Sequence, residues 1–369
     1  MKRSLRKILA TATCAASLAT TPIGAAYAGY VQKNLISNNT NMFPAAHEDT
    51  SLVNPWGIAF FPGGPFWIND NGTGLSALYN GDGTGFLGAD PAPAVTVPPP
   101  KGSTATSAPT GIVANSSFGF NLKSNSMPAA FIFATEDGTI SAWNLDLGIP
   151  AIAELEVDNS QKKCSNGAKG AVYKGLATGE TAAGVFLYAT NFRCATVDVF
   201  GSDFKPAVAS HNFRDSQIPD GFAPFGIANI RGNLVVTYAK QDPAKHDDEA
   251  GAGNGFVDIF DTNGILLQRF AQYGVLNSPW GIAEAPFNFG QFSNDLLIGN
   301  FGNGRINAFR TNRMFHGTLT DASNKPIAID GLWSIIFGGG AVSSPSTLYF
   351  SSGPAHESGG LVGELLPQP

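Results

Sequence analysis

Charged residues are scarce in this sequence, and basic residues form no cluster after residue 28. Only 14% of the 369 residues are Asp, Glu, Lys or Arg, and the formal net charge is -6. Proteins that bind nucleic acid or anionic membranes concentrate Lys and Arg on one face. The composition therefore predicts no nucleic-acid partner. Stretches rich in Ala, Leu, Glu and Lys are also few, so helices should be rare.

Familiar catalytic motifs are missing as well. No G-x-S-x-G occurs, and the His-Glu pairs at 47–48 and 356–357 do not extend to H-E-x-x-H. The glycine strings at 81–85 and 251–255 precede no helix, which favours turns over phosphate-binding loops. The catalytic residues are thus unknown from sequence, and His356 and Lys240 are the candidates for a general base.

Long apolar runs are confined to the N-terminus. Four basic residues precede an apolar stretch over 8–26, and Ala26-Tyr27-Ala28 follows. This order predicts a signal peptide over residues 1–28, a mature domain over 29–369, and export to the periplasm or extracellular space. A membrane helix is one alternative, but the apolar stretch is interrupted and shorter than a span requires. A lipoprotein that uses Cys14 is a second alternative. The mature chain should contain no membrane span.

Cysteine is rare, with three residues in all, and removal of residues 1–28 leaves Cys164 and Cys194. An even pair in an oxidising compartment predicts a disulfide bond between them. Two unpaired buried thiols are the alternative.

Glycine, proline and phenylalanine are abundant, with 44, 24 and 27 residues, which is typical of many short strands joined by tight turns. The sequence N-P-W-G-I-A at 54–59 recurs as S-P-W-G-I-A at 278–283 and A-P-F-G-I-A at 223–228, and three weaker copies lie between and after them. Units of about fifty residues indicate a propeller. The repeat glycines are Gly57, Gly111, Gly175, Gly226, Gly281 and Gly331.

Each unit is predicted to contain four antiparallel strands, and the sixth unit stops after its third. The segment at 30–36 resembles the outer strand at 265–270. We therefore expect an all-β, six-bladed β-propeller that the N-terminal strand closes. An open solenoid would need capping units, which neither end resembles.

The W-G-I-A motif and the R-I-N-A-F strand at 305–309 resemble NHL-type repeats. Over about residues 30–366 the chain is similar to a little-characterised family of secreted bacterial propellers, some of which have a C-terminal sorting tail that is not seen here. NHL-like propellers include lyases, metal-dependent lactonases and binding modules, so the resemblance implies a fold and no single activity.

Two sets of residues are predicted to line one central mouth of the ring, the upper one. Carboxylate and amide oxygens there suit a hard cation such as Ca²⁺, although Asx turns at strand ends are the alternative role. Aromatic residues offer a platform for a ligand, with packing under the loops as the alternative. The predicted metal ligands are Asp70, Glu136, Asn191 and Asn300, and the predicted ligand-binding residues are Trp56, Lys174, Phe225, Trp280 and Asp330.

Two functions remain open on this basis. The first is a monomeric binding or scaffold module that takes a small molecule, a glycan or an extracellular protein at the upper mouth. The second is a metal-dependent, lactonase-like hydrolase or a lyase that uses the same mouth.

Overall fold

The computed structural model describes residues 29–208 and 211–368, so the predicted signal peptide lies outside the described residues. Six small antiparallel sheets form the blades of a six-bladed β-propeller, as predicted. Strands are numbered in chain order. Blade 1 contains β3 (Pro55–Ala59), β4 (Phe66–Asp70), β5 (Leu75–Tyr79) and β6 (Ala94–Thr96), and blade 2 contains β7 (Pro109–Ala114), β8 (Phe131–Thr135), β9 (Thr139–Trp143) and β11 (Glu154–Asp158). Blade 3 contains β12 (Tyr173–Thr181), β13 (Gly184–Asn191) and β14 (Thr196–Phe200). Blade 4 contains β15 (Phe222–Ile230), β16 (Asn233–Lys240), β17 (Phe256–Phe260) and β18 (Leu266–Gln272), and blade 5 contains β19 (Pro279–Glu284), β20 (Leu296–Asn300), β21 (Ile306–Phe309) and β22 (Phe315–Thr318).

The sixth blade combines the two ends of the described chain. It consists of β23 (Leu332–Phe337), β24 (Leu348–Ser352), β25 (Leu361–Pro367) and β1 (Tyr30–Ser37), which pairs antiparallel with β25. The predicted closure by the N-terminal strand is confirmed. The remaining elements are β2 (His47–Glu48) and β10 (Ala151–Ile152), parallel to β1 and β6, and short 3-10 helices at Phe86–Gly88, Leu145–Leu147 and Gly290–Phe292.

Blade 3 departs from the predicted four strands. Among the described residues nothing pairs with the outer edge of β14 along its whole length. The segment after it makes one bridge, between Phe200 and Pro206, and one hydrogen bond from Ala207 N–H to the Val199 carbonyl at 2.8 Å. Blade 3 therefore contains three strands among the residues that the structure describes.

The repeat glycines are needed because the inner strands of neighbouring blades approach closely at the axis. A Cβ on Gly226 would lie 2.1 Å from the Trp280 carbonyl oxygen, and one on Gly57 would lie 2.6 Å from that of Thr110. Blade 6 has no glycine at this position. A Cβ on Gly281 of blade 5 would meet the backbone of blade 6 at Trp333 and Ile335, so Ser334 stands where the other blades have glycine.

Buried aromatic and aliphatic side chains fill the spaces between blades. Between blades 1 and 2, for example, Trp67 stacks on Phe131 with 4.3 Å between ring centroids. No helix in the described part of the chain is long and apolar enough to cross a membrane.

Candidate functional site

Strand register decides which side chains reach the upper mouth. Pro55 pairs with Asp70 and Pro109 pairs with Thr135, so Glu136 lies one residue beyond the position of Asp70 and corresponds to Asn71. A shift of one residue along a strand sends a side chain to the opposite face. The predicted ring therefore combined two positions that point in different directions.

Three of the four predicted metal ligands lie at the interior position. Asp70 is fully buried, and neither of its carboxylate oxygens has a hydrogen-bond partner among the described residues. Asn191 Oδ1 accepts the Cys194 N–H at 3.2 Å, and Asn300 Oδ1 accepts the Asn277 N–H at 3.2 Å. The two amides accept hydrogen bonds from nearby backbone N–H groups, which is the alternative role, that of Asx turns at strand ends. Among the described residues, no hydrogen bond or ion pair joins any two of these four side chains, and a metal site built from them stays a prediction.

A packed aromatic cluster closes the floor of the mouth. Trp56, Phe225 and Trp280 are 1%, 0% and 8% exposed, and Trp333 stacks on Trp56 with 3.4 Å between ring centroids. These rings pack under the loops and present little surface to a ligand.

Trp333 was missed from the sequence, and Asp330 was aligned with the wrong position of the repeat. Gly331 corresponds in the structure to Asn54 and Ser278, since all three have positive φ just before the inner strand begins. Asp330 is therefore not equivalent to Trp56 and Trp280; it is exposed and accepts the Ala355 N–H at 2.9 Å, and its role in ligand binding stays a prediction. The sequence L-W-S-I at 332–335 carries the signal, because it matches P-W-G-I at 279–282 with Ser in place of Gly.

A charged cluster lies above this floor. Lys174 is only 2% exposed, and its ammonium group forms ion pairs with Glu136 and, at 3.2 Å, with Asp247. The Lys174 ammonium also lies 5.2 Å from the centroid of Trp56, where a cation is attracted to the ring face. His246 Nδ1 lies 2.8 Å from Asp247 Oδ1.

The contacts in this cluster shift the pKa values of Lys174 and Asp247. Burial acts to lower the pKa of Lys174, but the charges and hydrogen bonds of Glu136 and Asp247 outweigh it and raise the pKa. The hydrogen bond from His246 holds the pKa of Asp247 far below its usual range; partial burial opposes this effect and Lys174 adds to it. The Lys174 ammonium and the Asp247 carboxylate therefore stay ionised near neutral pH.

Amide side chains extend the cluster to a third carboxylate at the rim. Asn71 Nδ2 donates to Glu136 Oε2 at 2.9 Å, and Asn54 Nδ2 donates to Glu357 Oε2 at 2.7 Å and to Asn71 Oδ1 at 3.3 Å. Trp333 Nε1 donates to Asn54 Oδ1 at 2.8 Å, which fixes this network to the aromatic floor.

An unusual turn presents Glu357. Ala355, His356 and Glu357 have φ values of 56°, 56° and 65°, in the left-handed region that residues other than Gly rarely occupy. Such strain is concentrated at functional sites. Loss of hydration, followed by the charge of Glu136, raises the pKa of Glu357.

The two predicted general bases are not part of the cluster. Lys240 forms an ion pair with Glu249 at 2.5 Å, and His356 is exposed in the left-handed turn. His246 and Asp247, which were not among the residues predicted from the sequence, lie beside Glu136 instead.

The predicted disulfide bond is present between Cys164 and Cys194, whose Cα atoms are 5.1 Å apart. It fastens the loop over 159–170 beside β13, where Asn166 Nδ2 also donates to the Arg193 carbonyl at 2.9 Å.

Two kinds of ligand match this geometry. Ligand atoms of Glu136, His246 and Asp247 lie within 4.8 Å of one another, which would allow a metal ion with mixed nitrogen and oxygen donors. The Lys174 ammonium, however, already bridges Glu136 and Asp247, so a metal ion would have to displace it. A cationic group bound by the remaining carboxylate oxygens requires no such rearrangement.

Comparison with known proteins gives close relatives but no family model that matches. The uncharacterized protein R648 of Acanthamoeba polyphaga mimivirus is 34% identical over 81% of this chain and 71% of its own length. The uncharacterized protein L690 of the same virus is 31% identical over 90% of this chain and 85% of its own length.

Among solved structures, the GH93 α-L-arabinofuranosidase of Fusarium graminearum superposes with a TM-score of 0.50 and 10% identity, covering 92% of this chain and 97% of that chain. This likeness concerns the fold alone. The resemblance to NHL-like propellers likewise holds at the level of the fold.

Proposed function

The chain belongs to the same protein family as R648 and L690 of Acanthamoeba polyphaga mimivirus, and we propose that it is a ligand-binding propeller whose upper mouth takes a small, positively charged ligand. The observation that carries this proposal is the charge of the network at the mouth. Three carboxylates, Glu136, Asp247 and Glu357, are linked through Asn54 and Asn71 to a single ammonium, that of Lys174.

Two of these carboxylates are accessible from solvent. The side chain of Asp247 is 66% exposed and Glu357 is exposed at the rim, whereas Lys174 is buried beneath them. A concave site with surplus charge of one sign over an apolar floor concentrates ions of the opposite sign. The buried ammonium orients the carboxylates, and the exposed oxygens remain for the ligand.

We further propose that the protein is exported to the periplasm or extracellular space. The basic, apolar and A-x-A order over residues 1–28 supports this, and so does a disulfide bond, which persists in oxidising compartments.

Isothermal titration at low ionic strength and pH 7.5 tests the binding function, with CaCl₂, ZnCl₂ and the diamine putrescine as probes. We expect saturable binding, and Glu357→Gln and Asp247→Asn should each weaken it about five- to tenfold, as loss of one partly exposed charge pair does. Glu284→Gln is the matched control, because Glu284 pairs with Arg231 away from the mouth. Absence of saturation with every probe, or equal affinities in all three variants, would refute the proposal.

A hydrolase or lyase is the second candidate, supported by the contact between His246 and Asp247. A carboxylate at Nδ1 orients an imidazole and leaves Nε2 free to act as a general base, and the His246 side chain is 37% exposed. Turnover of a lactone that His246→Gln abolishes while binding at the mouth persists would favour this candidate.

A further inference from the structure

A narrow channel runs along the axis of the propeller on the far side of the aromatic floor. Residues from the inner strands of all six blades line this axial channel, and its volume is about 300 Å³. Trp280, a member of the aromatic cluster beneath the upper mouth, closes one end. The lining continues along the inner strands to Phe60, Ala114 and Asn229. The channel therefore opens on the opposite, lower face of the ring.

The wall of the axial channel is mainly aliphatic and carries no charge. Among the described residues, no Asp, Glu, Lys, Arg or His lines it. Each blade contributes the branched aliphatic residue that follows the repeat glycine or, in blade 6, Ser334. An apolar protein cavity of about 150 Å³ stays dry and holds benzene, so a channel of twice that volume suits a molecule of roughly ten non-hydrogen atoms. The six aliphatic residues are Ile58, Ile112, Leu176, Ile227, Ile282 and Ile335.

Ser334 adds one hydroxyl group to this wall. It directly follows Trp333 of the aromatic cluster, which places it at the closed end of the channel. The residue is 7% exposed and lines the channel. Its N–H donates to Ser351 Oγ at 3.1 Å, but its own hydroxyl makes no hydrogen bond among the described residues. Because glycine suffices at this position in the other five blades, packing does not require the hydroxyl, and a buried polar group without a partner indicates a ligand or water.

We propose that the axial channel binds a small, uncharged, mainly aliphatic molecule whose single hydroxyl or carbonyl group bonds to Ser334. The lining offers no charged partner, which disfavours an ionic ligand because an unpaired charge is costly to bury. The aliphatic wall removes the apolar body of the ligand from water, and the Ser334 hydroxyl can donate or accept a hydrogen bond. The aromatic floor separates this site from the upper mouth, so the proposal does not depend on the function of that mouth.

Ligand-observed NMR with the primary alcohols from n-butanol to n-heptanol tests the proposal, with hexanoate and hexylammonium as anionic and cationic comparisons. We expect saturable binding with a Kd in the millimolar range or below. The affinity should rise about three- to fourfold with each added methylene until the channel is full. We expect n-hexanol to bind at least about tenfold more tightly than either ion, because neither ion finds a charged partner in the channel.

Two variants examine the wall. Ser334→Gly recreates the residue of the other five blades, so we expect it to fold. It should weaken the binding of n-hexanol about fivefold and leave the binding of xenon, which forms no hydrogen bond, undiminished. Ala228→Trp, at a half-buried position of the lining, should block the channel. Ala183→Trp, on an exposed hairpin outside the lining, is the matched control and should bind n-hexanol as the wild type does.

Four results would each overturn the proposal. The first is an absence of saturation with n-hexanol by about 50 mM. The second is binding of hexanoate or hexylammonium as tight as that of n-hexanol. The third is unchanged binding in Ala228→Trp, and the fourth is an affinity of Ser334→Gly for n-hexanol equal to that of the wild type.

Discussion

Replacing Asp70 by Asn should stabilise the protein increasingly as pH rises. Asp70 is fully buried with no hydrogen-bond partner at either oxygen among the described residues, and burial, with the nearby Asp49 charge, raises its pKa well above the usual value. The register places uncharged residues at the equivalent position of every other blade, namely Thr135, Asn191, Tyr238, Asn300 and Ser352. We therefore expect a protonated, neutral carboxyl group at Asp70.

The size of the effect follows from proton linkage. The folded state keeps a proton that the unfolded chain releases above a pKa of about 3.9, so the stability that this proton provides is complete below that pH. It is lost as pH rises, by about 1.4 kcal/mol for each pH unit, until the pH passes the folded pKa. Over the two units from pH 5 to pH 7 the wild type should lose about 3 kcal/mol through Asp70 if the carboxyl stays protonated. Asn at this position cannot titrate and loses nothing.

Urea unfolding of wild type and Asp70→Asn at pH 5, 6, 7 and 8 measures this difference. The titration of all other groups contributes equally to the free energies of unfolding of both proteins and cancels in their difference. Any effect of the amide that does not depend on pH shifts this difference by a constant and leaves its slope against pH unchanged. Asp203→Asn, at an exposed residue that pairs with Lys205, is the control and should show no pH-dependent gain of comparable size. A difference between wild type and Asp70→Asn that stays constant from pH 5 to pH 8 would refute a protonated Asp70.

Two further predictions concern the frame of the ring. Gly226→Ala should cost about 2 kcal/mol or more in urea unfolding, because its Cβ would lie 2.1 Å from the Trp280 carbonyl oxygen. Gly201→Ala should cost much less, because the nearest atom to its Cβ would be a side-chain oxygen at 3.2 Å, and equal losses in the two variants would contradict the reasoning. Replacing both Cys164 and Cys194 by Ser opens a loop that spans 30 residues and should lower the free energy of unfolding by about 3 kcal/mol, so an unchanged urea midpoint would show that the bond does not stabilise the fold.

The fold could be predicted from sequence because each blade repeats the same local demands. A glycine where inner strands converge, an apolar second strand and tight turns recur at a fixed interval, and the match of 30–36 to an outer strand gave the closure. Blade 6 kept the tryptophan but replaced the glycine by Ser334, so alignment on Gly331 shifted the sixth repeat by three residues and hid Trp333.

The site was harder to predict because it depends on single-residue register and on an insertion. Asp70 and Glu136 each follow an apolar strand, and only the pairing with Pro55 and Pro109 shows that Glu136 lies one residue further on. His246 lies in a segment between β16 and β17 that no other blade matches in the sequence repeat. Its position beside Glu136 depends on contacts between blades, which no local pattern encodes.

Differences between the blades at equivalent positions explain why the charged cluster lies to one side of the axis. The residue at the position of Trp56 is aromatic in blades 1, 4, 5 and 6, whereas blades 2 and 3 carry Thr110 and Lys174. At the position of Asn71, blade 2 carries Glu136, and blades 4 and 6 carry the small residues Ala239 and Gly353. Because six equivalent blades would give a symmetric mouth, the polar side arises only where the repeats diverge. The small residues leave room for the segments that bring His246, Asp247 and Glu357 toward Glu136.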